Sequence, residues 1–252
     1  RACRTNFGRG TDMIATGGKS IYGASVGILM LDAKFPRIHG DMGNAQTWPF
    51  PVLYRIVRGA TPDIVVRQGA EGQLGAFIDT ARELVQDGAD GITTNCGFLS
   101  LFQEQLAEAL SVPVVTSSLM QVAQVNSILP KGRRAGLLTI SGSTLTAEHL
   151  AKANVPAKTP IGTTEGGREF TRVILGNEDR LDVGVARSDN VNAALALQAK
   201  NPELGAIVLE CTNMCTYAAD IERATGLPTF SMVDLVVWFQ RGLSPVNFLN
   251  CK

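Results

Sequence analysis

The chain has 252 residues, 45% of them hydrophobic, enough for one large core or two of ordinary size and too apolar for a disordered chain. Twenty-three basic side chains balance twenty-three acidic ones, so the formal net charge of +0 gives no overall field for nucleic acid or an anionic membrane, only room for a local anion site. The apolar runs VGILML and LVVWF fall far short of the roughly eighteen residues that cross a bilayer, which makes a soluble protein the expectation.

In chain order, residues 1–23 are rich in glycine and polar side chains, lack an apolar secretory segment, and read as a flexible arm. ASVGILML is a run of strand length. WPFP follows, where Pro49 and Pro51 rule out regular helix and suggest a rigid rim or a surface turn. GQLGAFIDTARELVQDG places Leu74, Phe77, Ile78, Ala81, Leu84 and Val85 on one helical face and stops at Gly88. ADGITTN reads as a strand, FLSLFQEQLAEALS as a helix, and VPVVTSS and RAGLLTIS as further strands. NVNAALALQAKN is a helix closed by Asn201 and Pro202, GAIVLE and LPTFSMV are strands, and DLVVWFQRGL is a last helix. Strands alternating with helices imply an α/β fold with parallel sheets covered on both faces, whose ligand crevice lies at the carboxyl ends of the strands.

Cys96 sits in one such loop, in TTNCGF, and a second copy of the pattern surrounds Cys211. Aligned without a gap, GADGITTNCGFLSLF and ELGAIVLECTNMCTY superpose Cys96 on Cys211. The same alignment puts Pro113 on Pro228, both pairs 115 positions apart (211 − 96; 228 − 113). VGILML and AGLLTIS each resemble the first strand of a unit. Two pseudo-symmetric lobes are therefore expected, residues 24–127 and 128–231, with 232–252 packing back on the first lobe. Their symmetry would bring the two thiols face to face across a cleft. Two acid/base groups on opposite walls suit inversion of a carbon, because one removes a proton and the other delivers one to the opposite face. Each thiol precedes a predicted helix, whose N-terminal N–H groups favour thiolate or a substrate carboxylate. The five cysteines are odd in number and scattered, which argues against a disulfide framework and for the cytoplasm.

These residues resemble the aspartate/glutamate racemase superfamily, the cofactor-independent racemases of amino acids and hydantoins. LECTNM is similar to the second-lobe Cys-Thr pattern and TTNCGF carries the first-lobe cysteine. GDMGNAQT resembles the Met-Gly turn after the first strand, and LLTISGST the loop that opens the second lobe, so the similarity spans roughly residues 24–240. The resemblance implies that Cys96 and Cys211 are the acid/base thiols of a racemase or epimerase acting next to a carboxylate or carbonyl. It implies that Asn95, Gly97, Thr212, Asn213, Ser143 and Asn44 bind the substrate, a small carboxylate. It also implies no metal, pyridoxal phosphate or nucleotide, and a homodimer. Two positions differ from the amino-acid racemases: Gly97 follows Cys96 where a polar residue is usual, and Asn213 follows Cys-Thr where an acid or histidine is common. Glu210 is a sequence neighbour that could tune Cys211, and Asp41 reads equally as a turn or a pocket residue.

Other readings are weaker. GASVG has its strand after rather than before the serine, which removes Ser25 as a hydrolase nucleophile, and GGKS lacks the strand and first glycine of a phosphate loop. His39 and His149 stand at no metal-ligand spacing, and Cys211 with Cys215 makes only two of the four ligands of a zinc site. Decarboxylation of a malonate or isomerisation of a maleate would use the same cleft with one thiol. A two-lobed binding module for a small carboxylate would need no matched thiols.

Overall fold

The computed structural model describes residues 17–246; Cys3, Cys251 and residues 1–16 of the expected arm lie outside the described residues. The remainder of that arm is tied down: Ile21 N donates to Asp87 O at 2.7 Å and Lys19 Nζ to Gly88 O at 3.1 Å.

The first sheet is built from β1 (Val26–Leu31), β2 (Val52–Val57), β3 (Gly91–Thr94) and β4 (Val114–Val115), with helices α1 (Leu74–Asp87) and α2 (Gln103–Ala109) between strands. Helix α3 (Gln121–Ile128) links the halves. The second sheet contains β5 (Arg134–Thr139), β6 (Ile161–Thr163), β7 (Leu204–Leu209) and β8 (Thr229–Phe230). Its helices are α4 (Ala147–Lys152), α5 (Phe170–Gly176), α6 (Val183–Lys200) and α7 (Ala218–Thr225), and the chain continues into α8 (Met232–Leu243). The sheets have the same order, β2-β1-β3-β4 and β6-β5-β7-β8, with every described pairing parallel. The architecture is thus two α/β lobes, each a four-stranded parallel sheet flanked by helices.

The centre strands are covered on both faces, which is why β1, VGILML, is buried at every position and reads as a continuous apolar run. Edge strand β2, VLYRIV, is half-buried, and its mixed composition behind Pro49 and Pro51 hides it from a pattern search. Helix α1 buries Phe77, Ala81 and Leu84 and closes at Gly88, whose φ of 141° and close approach to Ile21 O exclude a side chain. Among the described residues no helix is long and apolar enough to cross a membrane.

The repeat is carried into three dimensions. The 3₁₀ turns Gly97–Phe102 and Thr212–Tyr217, the first residues of α2 and α7, and β4 and β8 all keep the spacing of 115 (212 − 97; 218 − 103; 229 − 114). The two linking helices are exchanged between lobes. Met232, Leu235, Val236 and Phe239 of α8 pack with Val26, Ile28 and Met30 of β1. Helix α3 packs instead on β5 and β7, where Asn126 Oδ1 accepts from Ala135 N at 2.8 Å. A boundary at 127/128 therefore cuts through α3, which serves the second sheet although it precedes it in sequence.

Candidate active site

Each thiol occupies the residue between a central strand and its 3₁₀ turn. Cys96 (φ −149°, ψ 120°) and Cys211 (φ −75°, ψ 127°) are both extended, and the chain turns immediately after them. They are 8% and 6% exposed and line one narrow cavity, with about 20 Å³ open to the centres of water-sized molecules. The polar part of its wall is Asn95, Gly97, Glu210, Thr212 and Asn213; the apolar part includes Leu31, Phe35, Val66, Phe98, Ile140 and Ile174. No lysine or arginine is on this lining.

Cross-lobe hydrogen bonds hold the two turns together. Thr212 Oγ1 donates to Asn95 O at 2.6 Å, and Ser118 Oγ donates to Leu209 O at 2.6 Å and Glu210 O at 3.1 Å. Asn95 is fixed from its own lobe, its Oδ1 accepting from Leu31 N at 2.8 Å. These donors and acceptors are buried, so each bond also removes a penalty of about 1–3 kcal/mol for an unsatisfied group.

Glu210 dominates the electrostatics. It is 1% exposed, its Oε2 accepts from Thr139 Oγ1 at 2.7 Å, and burial raises its carboxyl to about 7 despite that bond. Burial, and secondarily the Glu210 carboxylate, pushes the Cys96 thiol up to about 12, offset in part by the Phe98 N–H, the Arg37 guanidinium that Asp41 holds nearby, and the Leu99 N–H. The same two causes hold Cys211 well above its ordinary value. At neutral pH both thiols are therefore protonated in the empty site, and a positive charge entering the cavity is what favours a thiolate.

Cys211 has a second tie. Its Sγ donates to Asn213 Oδ1 at 3.5 Å, and Asn213 Nδ2 donates in turn to Asp41 Oδ2 of the other lobe. Asp41, buried, is set by Arg37 Nη1 at 3.0 Å and Gly43 N at 2.6 Å. An acid is thus tied to the second cysteine through Asn213, although it stands 172 positions away from that asparagine in the chain. In the sequence, the turn GDMGN is the one local feature that marks Asp41, and it suits a turn residue as well as a pocket residue.

Four expected positions thus meet the thiols at one cavity: Asn95, Gly97, Thr212 and Asn213. Two do not. Ser143 is exposed, and the loop donors around it are used by the chain's own Glu165, which accepts from Gly142 N at 3.0 Å, Ser143 N at 3.1 Å and Ser143 Oγ at 2.5 Å. Asn44 caps a 3₁₀ turn, accepting from Gln46 N at 3.0 Å and donating to Arg37 O at 3.0 Å. Gly97 contributes space rather than contacts: a Cβ there would lie 2.3 Å from Glu210 Oε1 and 2.4 Å from Glu210 O. Of the set-aside residues, His149 is buried, capping α4 against Thr146, and burial lowers it to about 4.

Two α/β lobes closing on a shared cysteine pair define the racemase-type fold. Solved structures agree: the chain matches an allantoin racemase from Klebsiella pneumoniae with a TM-score of 0.59 at 18% identity, over 86% of this chain and 89% of that one. A liganded Gly74Cys-Cys188Ser mutant of arylmalonate decarboxylase matches with a TM-score of 0.60 at 15% identity, over 88% and 93%. By sequence, the chain is 27% identical over 227 residues to a protein named dimethylsulfoniopropionate lyase from Durusdinium sp. clade D, covering 87% of this chain and 75% of that one. It is 29% identical over 231 residues to dimethylsulfoniopropionate lyase 6 of Emiliania huxleyi, of whose length it spans 57%. No known family profile matches the chain.

Proposed function

We propose that this protein is a lyase that eliminates dimethyl sulfide from dimethylsulfoniopropionate or a close β-sulfonio carboxylate. The observation that carries the reading is the cavity itself: two thiols and one carboxylate, apolar walls, and no cationic side chain on the lining. A dicarboxylate such as aspartate, a malonate or maleate would bring two negative charges to a buried carboxylate, at a large desolvation cost. A zwitterion whose far end is a methylated cation meets the opposite field, and its charge lowers the thiols it approaches. The names of the relatives found by sequence point to the same substrate.

In the step that follows, Cys96 is the base, because two backbone N–H groups and the Arg37 charge favour its thiolate, whereas Cys211 has one such N–H and its S–H is held in a hydrogen bond to Asn213 Oδ1. The thiolate takes a proton from the carbon next to the substrate carboxylate. The C–H pair becomes the new C=C bond, and the C–S bond breaks with its pair leaving on neutral dimethyl sulfide. Acrylate remains and Cys96 is protonated again, as before substrate binds; the next substrate's positive charge drives that proton to solvent and restores the thiolate. Cys211, protonated, faces the charge that develops on the substrate carboxylate.

The test is to incubate purified protein with dimethylsulfoniopropionate and quantify dimethyl sulfide in the headspace and acrylate in solution. One-to-one release is expected, with Cys96→Ser and Cys211→Ser each reduced by at least about 100-fold. Racemisation is the second reading, favoured by the equivalent places of the two thiols, since elimination needs only one base. If no dimethyl sulfide forms while deuterium from D2O enters the α-position of an amino acid or hydantoin, the lyase reading is overturned in favour of the racemase.

A further inference from the structure

Glu210 is the one cavity-lining carboxylate, and it is only half satisfied. Oε2 is held by Thr139 Oγ1, whereas Oε1 has no hydrogen-bond partner among the described residues. That oxygen leans across from the second lobe to the first-lobe turn beside Cys96, into the volume that any side chain at position 97 would fill. A buried carboxylate oxygen left open is costly unless a ligand completes it. The same wall carries the apolar side chains of Leu31, Phe35, Val66, Phe98 and Ile140, and the donors of its polar residues Cys211, Thr212 and Asn213 are already given to Asn213 Oδ1, Asn95 O and Asp41. A methylated onium group complements such a place because its charge meets the carboxylate while its methyl groups meet the apolar wall.

We propose that Glu210 is the specificity-determining residue of the site: its carboxylate receives the methylated onium end of the substrate, and Gly97 clears the room it needs. The proposal rests on the reading that the substrate is a sulfonio carboxylate, and it adds which residue selects the positive charge. It also accounts for the departure at position 97, where a polar side chain and the Glu210 carboxylate could not coexist.

Two isosteres separate the tail's charge from its shape: 3-(trimethylammonio)propionate and 4,4-dimethylpentanoate, which keeps the carboxylate but replaces the cationic tail by a neutral tert-butyl group. Calorimetric titration at pH 8, where the Glu210 carboxyl is ionised, is expected to show wild type binding the cationic-tailed isostere at least about tenfold more tightly, or 1.4 kcal/mol. Glu210→Gln is expected to bring that ratio to about one while leaving affinity for the neutral-tailed isostere within about threefold, a sign that the cavity is intact. Should that variant not fold, Glu210→Asp, which retracts the charge, is expected to reduce the ratio without abolishing it. Equal affinity of wild type for both ligands, or an unchanged ratio in the variants, overturns the proposal. The two readings fail separately: a protein that discriminates the onium through Glu210 yet releases no dimethyl sulfide loses only the substrate reading. One that releases dimethyl sulfide without charge discrimination loses only the role of Glu210.

Discussion

Replacing Gly97 by alanine adds one methyl group at the place where the two lobes come closest around the thiols. The new Cβ would stand 2.3 Å from Glu210 Oε1 and 2.4 Å from Glu210 O, both roughly 1 Å inside an ordinary contact. The side-chain oxygen can swing aside only by giving up the bond to Thr139. The main-chain oxygen cannot swing at all, because it continues directly from β7 and is held by Ser118 Oγ at 3.1 Å. The strain must therefore move the turn or the strand end, an overpacking that costs about 1–3 kcal/mol. In a chain of this size each kcal/mol lowers Tm by about 2–4 °C, so a fall of roughly 2–12 °C is expected. The thiol one residue earlier shifts with the turn, and a displacement near 1 Å costs on the order of 100-fold in rate. Scanning calorimetry and the proposed release of dimethyl sulfide measure the two effects on the same sample. Gly75→Ala is the control, since its methyl group meets nothing within 4 Å, and it is expected to be neutral or slightly stabilising. A Gly97→Ala protein that melts within a degree of wild type and keeps its kcat/KM would refute the account of Gly97 as a space-maker for Glu210.

Asp41→Asn removes the charge that orders Asn213 and leaves the Arg37 guanidinium without its buried partner; a loss of about 1–3 kcal/mol in denaturant unfolding is expected, with kcat/KM lower by about tenfold or more. The stability of wild type should also depend on pH through Glu210. Its folded carboxyl is raised to about 7 against about 4.3 for an unfolded chain, so the native state holds a proton that the unfolded state has lost between those values. Stability from this group is complete below about pH 4 and is lost as pH rises through 7, on the order of 4 kcal/mol in all. The groups facing it are Thr139, the Ile140 N–H, Cys96 and Cys211, and neither thiol ionises in that window. Comparing Tm at pH 5 and pH 8 should therefore show a difference in wild type that shrinks in Glu210→Gln; an equal difference in both proteins would count against Glu210 as its source.

The parallel sheets were legible because their centre strands are buried on both faces and so read as unbroken apolar runs, and because the cysteine and proline of each half recur at one spacing. Strands β2 and β6 were not, the first being a half-buried edge strand behind two prolines and the second only three residues long. Helix α6 begins at Val183, seven residues before the run NVNAALALQAKN, since its opening VGVARSD follows an Asp182 cap and shows no periodic apolar face. At the site, the residues beside each cysteine could be found from chain proximity alone. What could not be read were partners brought together by folding: Asp41 with Asn213 across lobes, and Glu210 Oε1 with Gly97. Ser143 and Asn44 failed as pocket residues for the converse reason, since Glu165 and Arg37 already engage the groups that sequence reading left free for a ligand.

The exchanged helices give a symmetric molecule an asymmetric birth. During synthesis the chain emerges from its N-terminal side, and folding begins before the chain is complete. The second sheet receives its cover, α3, before its first strand has been made. The first sheet waits for α8, which follows every strand of both sheets, so the face formed by Val26, Ile28 and Met30 stays bare throughout the translation of the second lobe. Burying Met232, Leu235, Val236 and Phe239 against it is worth about 1.5–3 kcal/mol per side chain, comparable in sum to the whole stability of an ordinary domain. The inner face of the first sheet is thus covered only once α8 has been made, after every described strand of both lobes.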